Sequence, residues 1–429
     1  MKNIPLLLNH CSELFSQWIY KTTRLRAADQ IKNAYFRKRH YLGSKDRRLI
    51  EFLYYDMIRN MSLYTWQIQR GTGRKKDNIP PELLTVHAYK RHYPDESREI
   101  RFRITDRISH YFTEYFYTDI YPEHPAIRWS VPGMLWKRIK DAYSTVQLNE
   151  CLRKLNCRAE VHIRTNTLKI SRTELLSRMQ DIPLRKGNVS PDALRLEKHY
   201  EMTRHVLFKR GMFEFQDESS QLVAYACDPG REDLVIDLCA GGGGKSLHLS
   251  ALMENQGSLI ATDLYPERLH ELSQRAKRAG VMNIHLTPVR EISTSYKGKA
   301  DILLIDAPCS GSGVYRRKPD TKWELTENKL QYYLRTQQQL LDSGADLVRS
   351  GGYLVYATCS IIPDENEKQI NDFLSRHKDF EPASVYGAFS HYNIKFPASA
   401  EKHILRILPQ DADSDGFFIA KLRRIKARQ

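Results

Sequence analysis

The sequence predicts an α/β protein in which a doubly wound parallel sheet is preceded by a small α+β module and an all-helical amino-terminal domain. Three observations carry this prediction. From Asp228 onward, unbroken apolar runs alternate with helical patterns, which is typical of a parallel sheet buried on both faces. Shorter strand and helix patterns fill residues 151–228. Only helical periodicity is evident before them, so we divide the chain into residues 1–150, 151–228 and 229–425.

Composition restricts the class of partner. The 429 residues carry 67 Lys and Arg against 51 Asp and Glu, a formal net charge of +16. This excess favours nucleic acid as a partner, with a solvated basic surface on a metabolic enzyme as the alternative. No apolar run suits a signal peptide or a span of about 20 residues. We therefore expect a cytoplasmic monomer without a membrane partner.

The seven cysteines form no Cys-x-x-Cys pair and are odd in number. Neither a zinc site nor a disulfide framework follows from that pattern. Reduced thiols and the absence of a metal site are expected, which agrees with a cytoplasmic location.

Helical spacing of apolar residues in 47–59 predicts an amphipathic helix in the amino-terminal region. Ser44 or Asp46 is expected to cap it, and Gly43 to end the helix before. The predicted apolar stripe consists of Leu49, Phe52, Leu53 and Met57.

Aromatic residues are interleaved with basic clusters in the same region, and they either stack on nucleic-acid bases or fill a helical core. They are Tyr54, Tyr55, Tyr64, Trp66, Tyr89, Tyr93, Tyr111, Tyr115 and Tyr117. Residues 43–47, Gly-Ser-Lys-Asp-Arg, lead into the predicted helix and resemble the NusB-type all-helical RNA-binding domain. A plain helical bundle whose charge only solvates it is the alternative.

Residues 151–228 predict a small α+β module. A strand is expected over 159–169 and a helix over 171–179, with Ser171 as N-cap and Glu174 completing a capping box. Short strands are expected near 183–185 and 193–196.

A glycine turn from Cys239 to Ser246 follows the first strand of the carboxyl-terminal domain and leads to a helix expected near Leu247. The turn fails the P-loop pattern by one residue, and Ser246 breaks the dinucleotide fingerprint. Glycine still lets the backbone approach a ligand closely. Asp263 ends the next strand, where a carboxylate suits the two hydroxyls of a ribose. S-adenosylmethionine fits this pattern, and a glycine turn that serves packing alone is the alternative.

Two further apolar runs end in polar, sulfur-containing residues. The run 302–305 ends at Asp306 and leads to Cys309, whereas 352–358 ends at Cys359. Parallel neighbouring strands would bring both thiols to the same edge of one sheet, where ligands of α/β proteins bind. An ordinary strand followed by a glycine-rich loop is the alternative.

These motifs resemble those of the Sun/Fmu-type RNA cytosine-C5 methyltransferases over roughly residues 150–425. The matching motifs are Asp-Leu-Cys-Ala-Gly-Gly-Gly-Gly-Lys-Ser at 237–246, Asp-Ala-Pro-Cys-Ser-Gly-Ser-Gly at 306–313, Thr-Cys-Ser at 358–360, Glu-Asn-Glu at 365–367, Asp-Gly-Phe-Phe at 415–418, Arg-Thr-Asn-Thr at 164–167 and Gln-Asp-Glu-Ser-Ser at 216–220. The resemblance implies a Rossmann-like class I methyltransferase sheet and S-adenosylmethionine as cofactor. It also implies an RNA substrate with an unstacked cytosine, and the basic helical region favours ribosomal RNA by analogy.

The resemblance also implies roles for individual residues. Cys359 would be the nucleophile that adds to the cytosine, and Cys309 would take the proton or promote release. Asp306 and Lys245 would act at the edge of the base. The residues expected to hold the cofactor are Cys239, Ala240, Gly241, Gly242, Gly243, Gly244, Lys245, Asp263, Arg268 and Asp306. The residues expected to hold RNA are Arg164, Asn166, Gln216, Arg316 and Arg317.

The chain departs from the family pattern at three places. Ala-Gly-Gly-Gly-Gly-Lys at 240–245 stands where most members have Ala-Ala-Pro-Gly-Gly-Lys. No acid follows the third strand to meet the adenine, where Glu291 is the nearest candidate, and Asp-Ala-Asp-Ser at 411–414 replaces the more usual histidine and glycine. A non-catalytic RNA-binding or assembly factor and a tRNA cytosine methyltransferase remain alternatives. A nicotinamide dehydrogenase is disfavoured by Ser246 and by the paired thiols.

Overall fold

The computed structural model describes residues 3–22, 27–96, 118–198, 200–395 and 403–425. The chain forms two compact units, one comprising Met1–Lys137 with Lys318–Leu325 and the other Arg138–Arg317 with Thr326–Gln429. The boundaries expected at residues 150 and 228 stay predictions. Tyr111, Tyr115 and Tyr117 lie outside the described residues.

The amino-terminal region is helical wherever it is described, as the sequence predicted. Its α-helices are α1 (Ile4–Ile19), α2 (Ala28–Arg37), α3 (Ser44–Thr72), α4 (Pro81–His92), α5 (Pro125–Arg128) and α6 (Gly133–Ile139). No described helix is both long enough and apolar enough to cross a membrane.

The buried face of helix α3 differs from the predicted apolar stripe. Its buried positions in this part are Ile50, Leu53, Tyr54, Met57 and Ile58. They recur at helical spacing and face the core. Phe52 lies off that stripe with 43% of its surface exposed. The helix also begins one residue after Gly43, which serves as N-cap without a side-chain bond.

Three of the aromatic residues proposed for base stacking belong to the core of the first unit. Tyr54, Tyr64 and Tyr89 are buried among the helices. Tyr54 donates a hydrogen bond to the carbonyl of Ala28 at 3.3 Å. For these three side chains, core packing is the correct interpretation.

The first unit also contains residues 318–325, which the sequence analysis had assigned to the carboxyl-terminal domain. Asp320 accepts from the Ala28 amide at 2.8 Å. Trp323 Nε1 donates to the Ile58 carbonyl at 2.8 Å, and the buried Lys322 ammonium donates to the Arg59 carbonyl at 2.7 Å. Their short helix spans Thr321–Glu324. This segment is therefore built into the helical core.

The second unit contains a four-stranded antiparallel sheet in the order β2-β3-β1-β4. Its strands are β1 (Val161–Thr165), β2 (Leu184–Lys186), β3 (Ala193–Leu196) and β4 (Phe213–Phe215). The accompanying helices are α7 (Thr145–Leu155), α8 (Arg172–Ser177) and α9 (Val206–Lys209). Ser171 caps α8 by accepting from the Glu174 amide at 3.2 Å, which is only one half of the predicted capping box, and α8 ends before Met179.

The large sheet has the order β10-β12-β9-β8-β5-β6-β7, with β11 paired to β12. Its strands are β5 (Leu234–Asp237), β6 (Ser258–Ala261), β7 (Ile284–Leu286), β8 (Ala300–Asp306), β9 (Val348–Thr358), β10 (Phe380–Pro382), β11 (Ile404–Ile407) and β12 (Phe417–Arg424). Strands β5 to β9 are parallel, whereas β12 is antiparallel to β9. The predicted α/β class with a doubly wound sheet is confirmed.

Helices flank this sheet. They are α10 (Glu218–Cys227), α11 (Gly244–Leu252), α12 (Pro266–Ala279), α13 (Val289–Tyr296), α14 (Glu327–Ala345), α15 (Glu367–Arg376), α16 (Val385–His391) and α17 (Pro409–Ala412). Short 3-10 turns occur at Lys76–Asn78, Met202–Arg204, Ser312–Val314 and Pro363–Glu365. The strand order reverses direction between β5 and β8, and ligands of such sheets bind at that switch point, beyond the carboxyl ends of the strands.

The corrected stripe on α3 gives a testable difference between two neighbours. Leu53→Ala should destabilise the helical unit by about 2–5 kcal/mol, because it leaves a cavity among buried side chains. Phe52→Ala should cost less than about 1 kcal/mol, since much of its ring is already in water. Hydrogen exchange of peptides from residues 44–72 in the full chain measures both, and equal losses would contradict the stripe.

Candidate active site

The glycine turn after β5 forms the first turn of α11, which begins at Gly244 rather than near Leu247. Gly243 has a φ of +84°, and a Cβ there would lie 2.5 Å from Leu272 Cγ, so only glycine fits. Gly241 has a φ of +53°, and a Cβ would meet nothing within 4 Å. The turn is thus packed on one side at Gly243 and open beside Gly241.

Asp263 fixes the open part of this turn. Its two carboxylate oxygens accept from the amides of Gly241 and Tyr265, each at 2.9 Å. A carboxylate has about four acceptor sites, so each oxygen keeps capacity for another donor such as a ribose hydroxyl. Arg268 Nη1 lies 3.7 Å from Asp263 on a mostly exposed side chain.

Exposed apolar side chains follow Asp263, and the sequence analysis did not single them out. Leu264 is 69% exposed and Tyr265 46% exposed. An exposed apolar surface beside a carboxylate that can accept from ribose hydroxyls fits the flat base of a nucleoside. Asp263, this apolar surface and the open turn at Gly241 together agree with the chemistry of S-adenosylmethionine. Glu291, the nearest substitute for the missing adenine acid, lies in the first turn of α13.

Cys239 and Ala240 connect β5 to the turn. The Ala240 amide donates to the Thr262 carbonyl at 2.9 Å, which ties the turn to the end of β6. Burial raises the pKa of the Cys239 thiol above its ordinary value, so this sulfur is neutral at physiological pH. The cofactor contacts expected of both residues stay predictions.

Two arginines, the buried Arg164 and the partly exposed Arg275, bond to backbone carbonyls of the turn. Arg164 donates to the Gly244 carbonyl at 2.7 Å and to the side chain of Gln216, and Arg275 donates to the Gly242 carbonyl at 2.6 Å. Burial lowers the pKa of Arg164 to about 10. Arg164 and Gln216 are thus enclosed beside the glycine turn, and the RNA contact expected of them stays a prediction.

The other residues expected to hold RNA are also engaged inside the protein. Asn166 is buried and donates to the carbonyls of Gly211 and Ala279, both at 2.8 Å. Arg316 is 2% exposed and lies 3.0 Å from the carboxylate of Asp415. Both side chains are thus held inside the protein, and the RNA contacts expected of them stay predictions.

Arg317 remains partly exposed while it pairs with acids. Its guanidinium donates to Asp217 at 2.6 Å and to Asp415. Burial raises the pKa of Asp415 to about 6, helped by the neighbouring Asp217 charge and opposed by the arginines. Among the five expected RNA contacts, Arg317 alone has a side chain that is about one-third exposed, and its role toward RNA stays a prediction.

Lys245 and Asp306 form a short ion pair between α11 and the end of β8. The ammonium donates to Asp306 Oδ2 at 2.6 Å and lies 5.3 Å from the centre of the Phe417 ring. Burial opposes the charge on Lys245, but Asp306 outweighs it and raises the pKa of the ammonium. Cys359 also contributes to the raised pKa of Lys245, so Lys245 lies within electrostatic reach of that sulfur.

The two thiols meet at the edge of the sheet. Asp306 on β8 is paired with Ala357 on β9, so the chain segments that follow these residues leave the sheet side by side. Cys309 Sγ and Cys359 Sγ lie 3.4 Å apart, although they are 50 positions apart in sequence. The contact with Cys359 and burial raise the pKa of Cys309 well above its ordinary value. The structure thus brings together the sulfur atoms that the strand ends predicted.

A close backbone crossing holds the two cysteine loops in register. The Gly313 amide donates to the Cys359 carbonyl at 2.9 Å, and the Gly416 amide donates to the Gly313 carbonyl at 2.9 Å. A Cβ on Gly313 would lie 2.2 Å from the Gly416 oxygen. Glycine is therefore required where the Cys309 loop passes the start of β12.

Glu365 is a site residue that the sequence analysis quoted in a motif without a role. It is fully buried and accepts from the Ser310 amide at 2.7 Å and the Ser310 hydroxyl at 2.5 Å. It also accepts from the Ser360 hydroxyl. Each of these serines directly follows one of the two cysteines. The position of Glu365 shortly after Cys359 in the sequence does not indicate that its carboxylate also bonds to the loop of Cys309.

Comparison with known protein families gives two matches. Residues 224–423 match the model of the 16S rRNA methyltransferase RsmB/F family. Residues 131–203 match the ferredoxin-like domain of RsmF/B-like methyltransferases.

Two curated relatives are similar over long segments. The probable ribosomal RNA small subunit methyltransferase B of Bacillus subtilis is 35% identical over 69% of this chain and 66% of its own length. Its counterpart in Synechocystis is 33% identical over 69% of this chain and 67% of its own length. The match therefore spans about two thirds of these relatives.

A solved methyltransferase homolog from Pyrococcus horikoshii is 26% identical, covers 70% of this chain and 98% of its own, and superposes with a TM-score of 0.60. Family models, relatives and fold agree with one another, and they agree with the motifs around both thiols. The chain belongs to the RsmB/F family of methyltransferases, whose methyl donor is S-adenosylmethionine.

Proposed function

We propose that this protein methylates carbon 5 of a cytosine in RNA through a covalent bond between Cys359 and the base. The observation that carries the proposal is the contact of two thiols at 3.4 Å, within electrostatic reach of a lysine–aspartate pair. A methyltransferase acting on a nucleophilic nitrogen or oxygen has no need of two thiols. Carbon 5 of cytosine is a poor nucleophile, so it needs covalent activation.

Cys359 performs that activation. Its thiolate forms a bond to carbon 6, and the π bond between carbons 5 and 6 breaks. The electron pair of that bond becomes part of an enamine, which makes carbon 5 nucleophilic. Lys245 is a cation within electrostatic reach of this sulfur. S-adenosylmethionine, when bound, supplies the methyl group that carbon 5 takes up.

Asp306 acts at the edge of the base. Its Oδ2 accepts from Lys245 at 2.6 Å, so the pair presents a fixed carboxylate and a fixed ammonium together. Hydrogen bonding from this pair stabilises the charge that builds on the ring as the thiolate adds. The donor is held by the open glycine turn, by Asp263 on the ribose and by the apolar surface of Leu264.

Cys309 completes the reaction. Carbon 5 must lose its proton before the bond between carbon 6 and Cys359 can break. The Cys309 thiol first releases its own proton to water, its thiolate then takes the proton of carbon 5, the electron pair of that C–H bond re-forms the 5,6 double bond, and the Cys359 thiolate leaves. Cytosine is reachable only when unstacked, so a single-stranded or loop segment of RNA is the substrate, and the relatives' names favour ribosomal RNA.

Removal of the nucleophile tests the reaction directly. Cys359→Ala should abolish transfer of a labelled methyl group to RNA, because carbon 5 is then never activated. Cys157→Ala, which removes an exposed cysteine, is the matched control and should keep normal turnover. Normal methyl transfer by Cys359→Ala would refute the covalent role.

Loss of the second thiol should act at a different step. Cys309→Ala should methylate the base yet accumulate an RNA–protein adduct, because the carbon 5 proton stays in place. A slowly migrating species on a denaturing gel measures it, and the adduct should disappear in the double variant with Cys359→Ala. If Cys309→Ala turns over without an adduct, another group removes the proton.

The donor site has its own test. Asp263→Ala should weaken S-adenosylmethionine binding by roughly 10- to 100-fold, the loss expected for hydrogen bonds to a charged acceptor. Glu267→Ala, an exposed acid on the same helix entry, should leave affinity unchanged. Calorimetry measures both, and a chain that binds no donor would favour a non-catalytic RNA-binding factor. Bisulfite mapping of RNA from cells lacking the gene would identify the target.

A further inference from the structure

We propose that Glu365 is the positioning residue that holds both catalytic thiols at one spacing, acting through the serine that follows each cysteine. The proposal deepens the function proposed above and rests on it. Glu365 lies at the end of the 3-10 turn Pro363–Glu365, after β9. Its side chain is fully buried.

Four donors converge on this carboxylate. They are the Ser310 amide, the hydroxyls of Ser310 and Ser360, and Gln337 Nε2 at 3.2 Å. All four groups donate hydrogen bonds, so a carboxylate in its ionised form, which only accepts, can bond to each of them. Burial raises the pKa of Glu365, while these donors oppose the shift. The arrangement is that of a buried anion whose acceptor sites are used for two loops at once.

Those two loops carry the cysteines. Ser310 belongs to the loop after β8 and Ser360 to the loop after β9, and their hydroxyl oxygens lie 3.3 Å apart. A single rigid group therefore bonds to the residue next to each sulfur. Without it, the loops keep the backbone bond between Gly313 and Cys359 and the contact of Ser312 with Ser360 at 2.9 Å, but they lose the carboxylate that bonds to Ser310 and Ser360 together.

The surroundings of Glu365 are rigid enough for this task. Gln337 on α14 also donates to the Pro308 carbonyl at 3.0 Å, immediately before Cys309. Tyr356 donates its hydroxyl proton to the Glu365 carbonyl at 2.8 Å. Asn366 Nδ2 donates to the Ser360 carbonyl at 2.9 Å. Side chains that position reacting atoms must themselves be held by neighbours, because a displacement of about 1 Å can cost a hundredfold in rate.

The experiment measures the spacing of the thiols independently of methyl transfer. In mixtures of oxidised and reduced dithiothreitol, the equilibrium between the Cys309–Cys359 dithiol and its disulfide gives their effective concentration. At about pH 6.5 free thiols are protonated, so this equilibrium reports proximity rather than charge. Glu365→Ala should lower the effective concentration on the order of tenfold or more, and Glu365→Gln should lower it less, because the amide still accepts.

The matched control is Asp364→Asn, which changes the neighbouring acid that pairs with Lys368 at 2.9 Å. It should leave the effective concentration unchanged. Ser310→Ala and Ser360→Ala should each lower it, yet neither should lower it further in the Glu365→Ala background. Additive losses, or an unchanged value in Glu365→Ala, would overturn the proposal. The two serine variants decide the matter if Glu365→Ala fails to fold.

Single-turnover kinetics then separate positioning from general damage. Ser360→Ala should slow formation of the RNA adduct, whereas Ser310→Ala should slow its release, and Glu365→Ala should slow both while donor affinity stays constant. Equal effects of the two serine variants on both steps would contradict positioning of separate thiols. A wild-type chain that makes no 5-methylcytosine defeats the proposed function alone, because the thiol equilibrium still tests Glu365.

Discussion

The register between β8 and β9 is the constraint on which the rest of the site depends. Pairing of Asp306 with Ala357 makes the two strands end together, so both following loops leave the sheet at one edge. A shift of one residue would turn every side chain of a strand to the opposite face. The sheet core on both sides of these strands makes such a shift costly, since residues 302–305 of β8 and 354–358 of β9 are buried. The hydrophobic core, rather than the bonds within the site, thus stabilises the strand register that positions the two sulfur atoms.

Some of the basic side chains of this protein bond to carbonyls and carboxylates in its interior rather than lying at its surface. The net charge of +16 favours RNA as a partner, yet two of the three arginines expected to contact it, Arg164 and Arg316, are buried. Arg164 holds the carbonyl of Gly244, and Arg316 faces Asp415. A guanidinium with many donors can satisfy carbonyls where loops converge, and it stays charged when buried. The basic excess therefore favours RNA as a partner without identifying the residues that contact it.

The sequence predicted the sheet well because parallel strands are buried on both faces and appear as unbroken apolar runs. It predicted the meeting of Cys309 and Cys359 for the same reason, since strand ends determine where loops begin. The apolar stripe on α3 was predicted less well. Several apolar side chains occur in nearly every turn there, and periodicity alone did not separate Phe52 from Ile50.

Contacts between segments that are far apart in the chain could not be predicted from the sequence. Nothing in Asp320, Lys322 and Trp323 indicates that they pack among the amino-terminal helices, and nothing in Glu365 indicates that it bonds to Ser310. Burial of Arg164 and Asn166 was equally hidden, because a polar residue next to a turn has the same sequence pattern whether it faces solvent or a carbonyl. Local patterns determine elements, whereas these contacts depend on which elements become neighbours.

Two chemically identical thiols need different environments if they are to act in sequence. The largest cause of the raised pKa of Cys309 is its hydrogen bond with Cys359, followed by burial. In the proposed reaction, the Cys359 sulfur becomes bonded to carbon 6 and is no longer an anion that can accept that bond. The pKa of Cys309 should then fall, so that its thiol would release its proton to water and its thiolate could act as a base only after the covalent intermediate exists. In the reaction proposed above, the 3.4 Å contact would thus link the two steps in order: Cys309 would keep its proton while Cys359 attacks and would become available as a base when carbon 5 has a proton to lose.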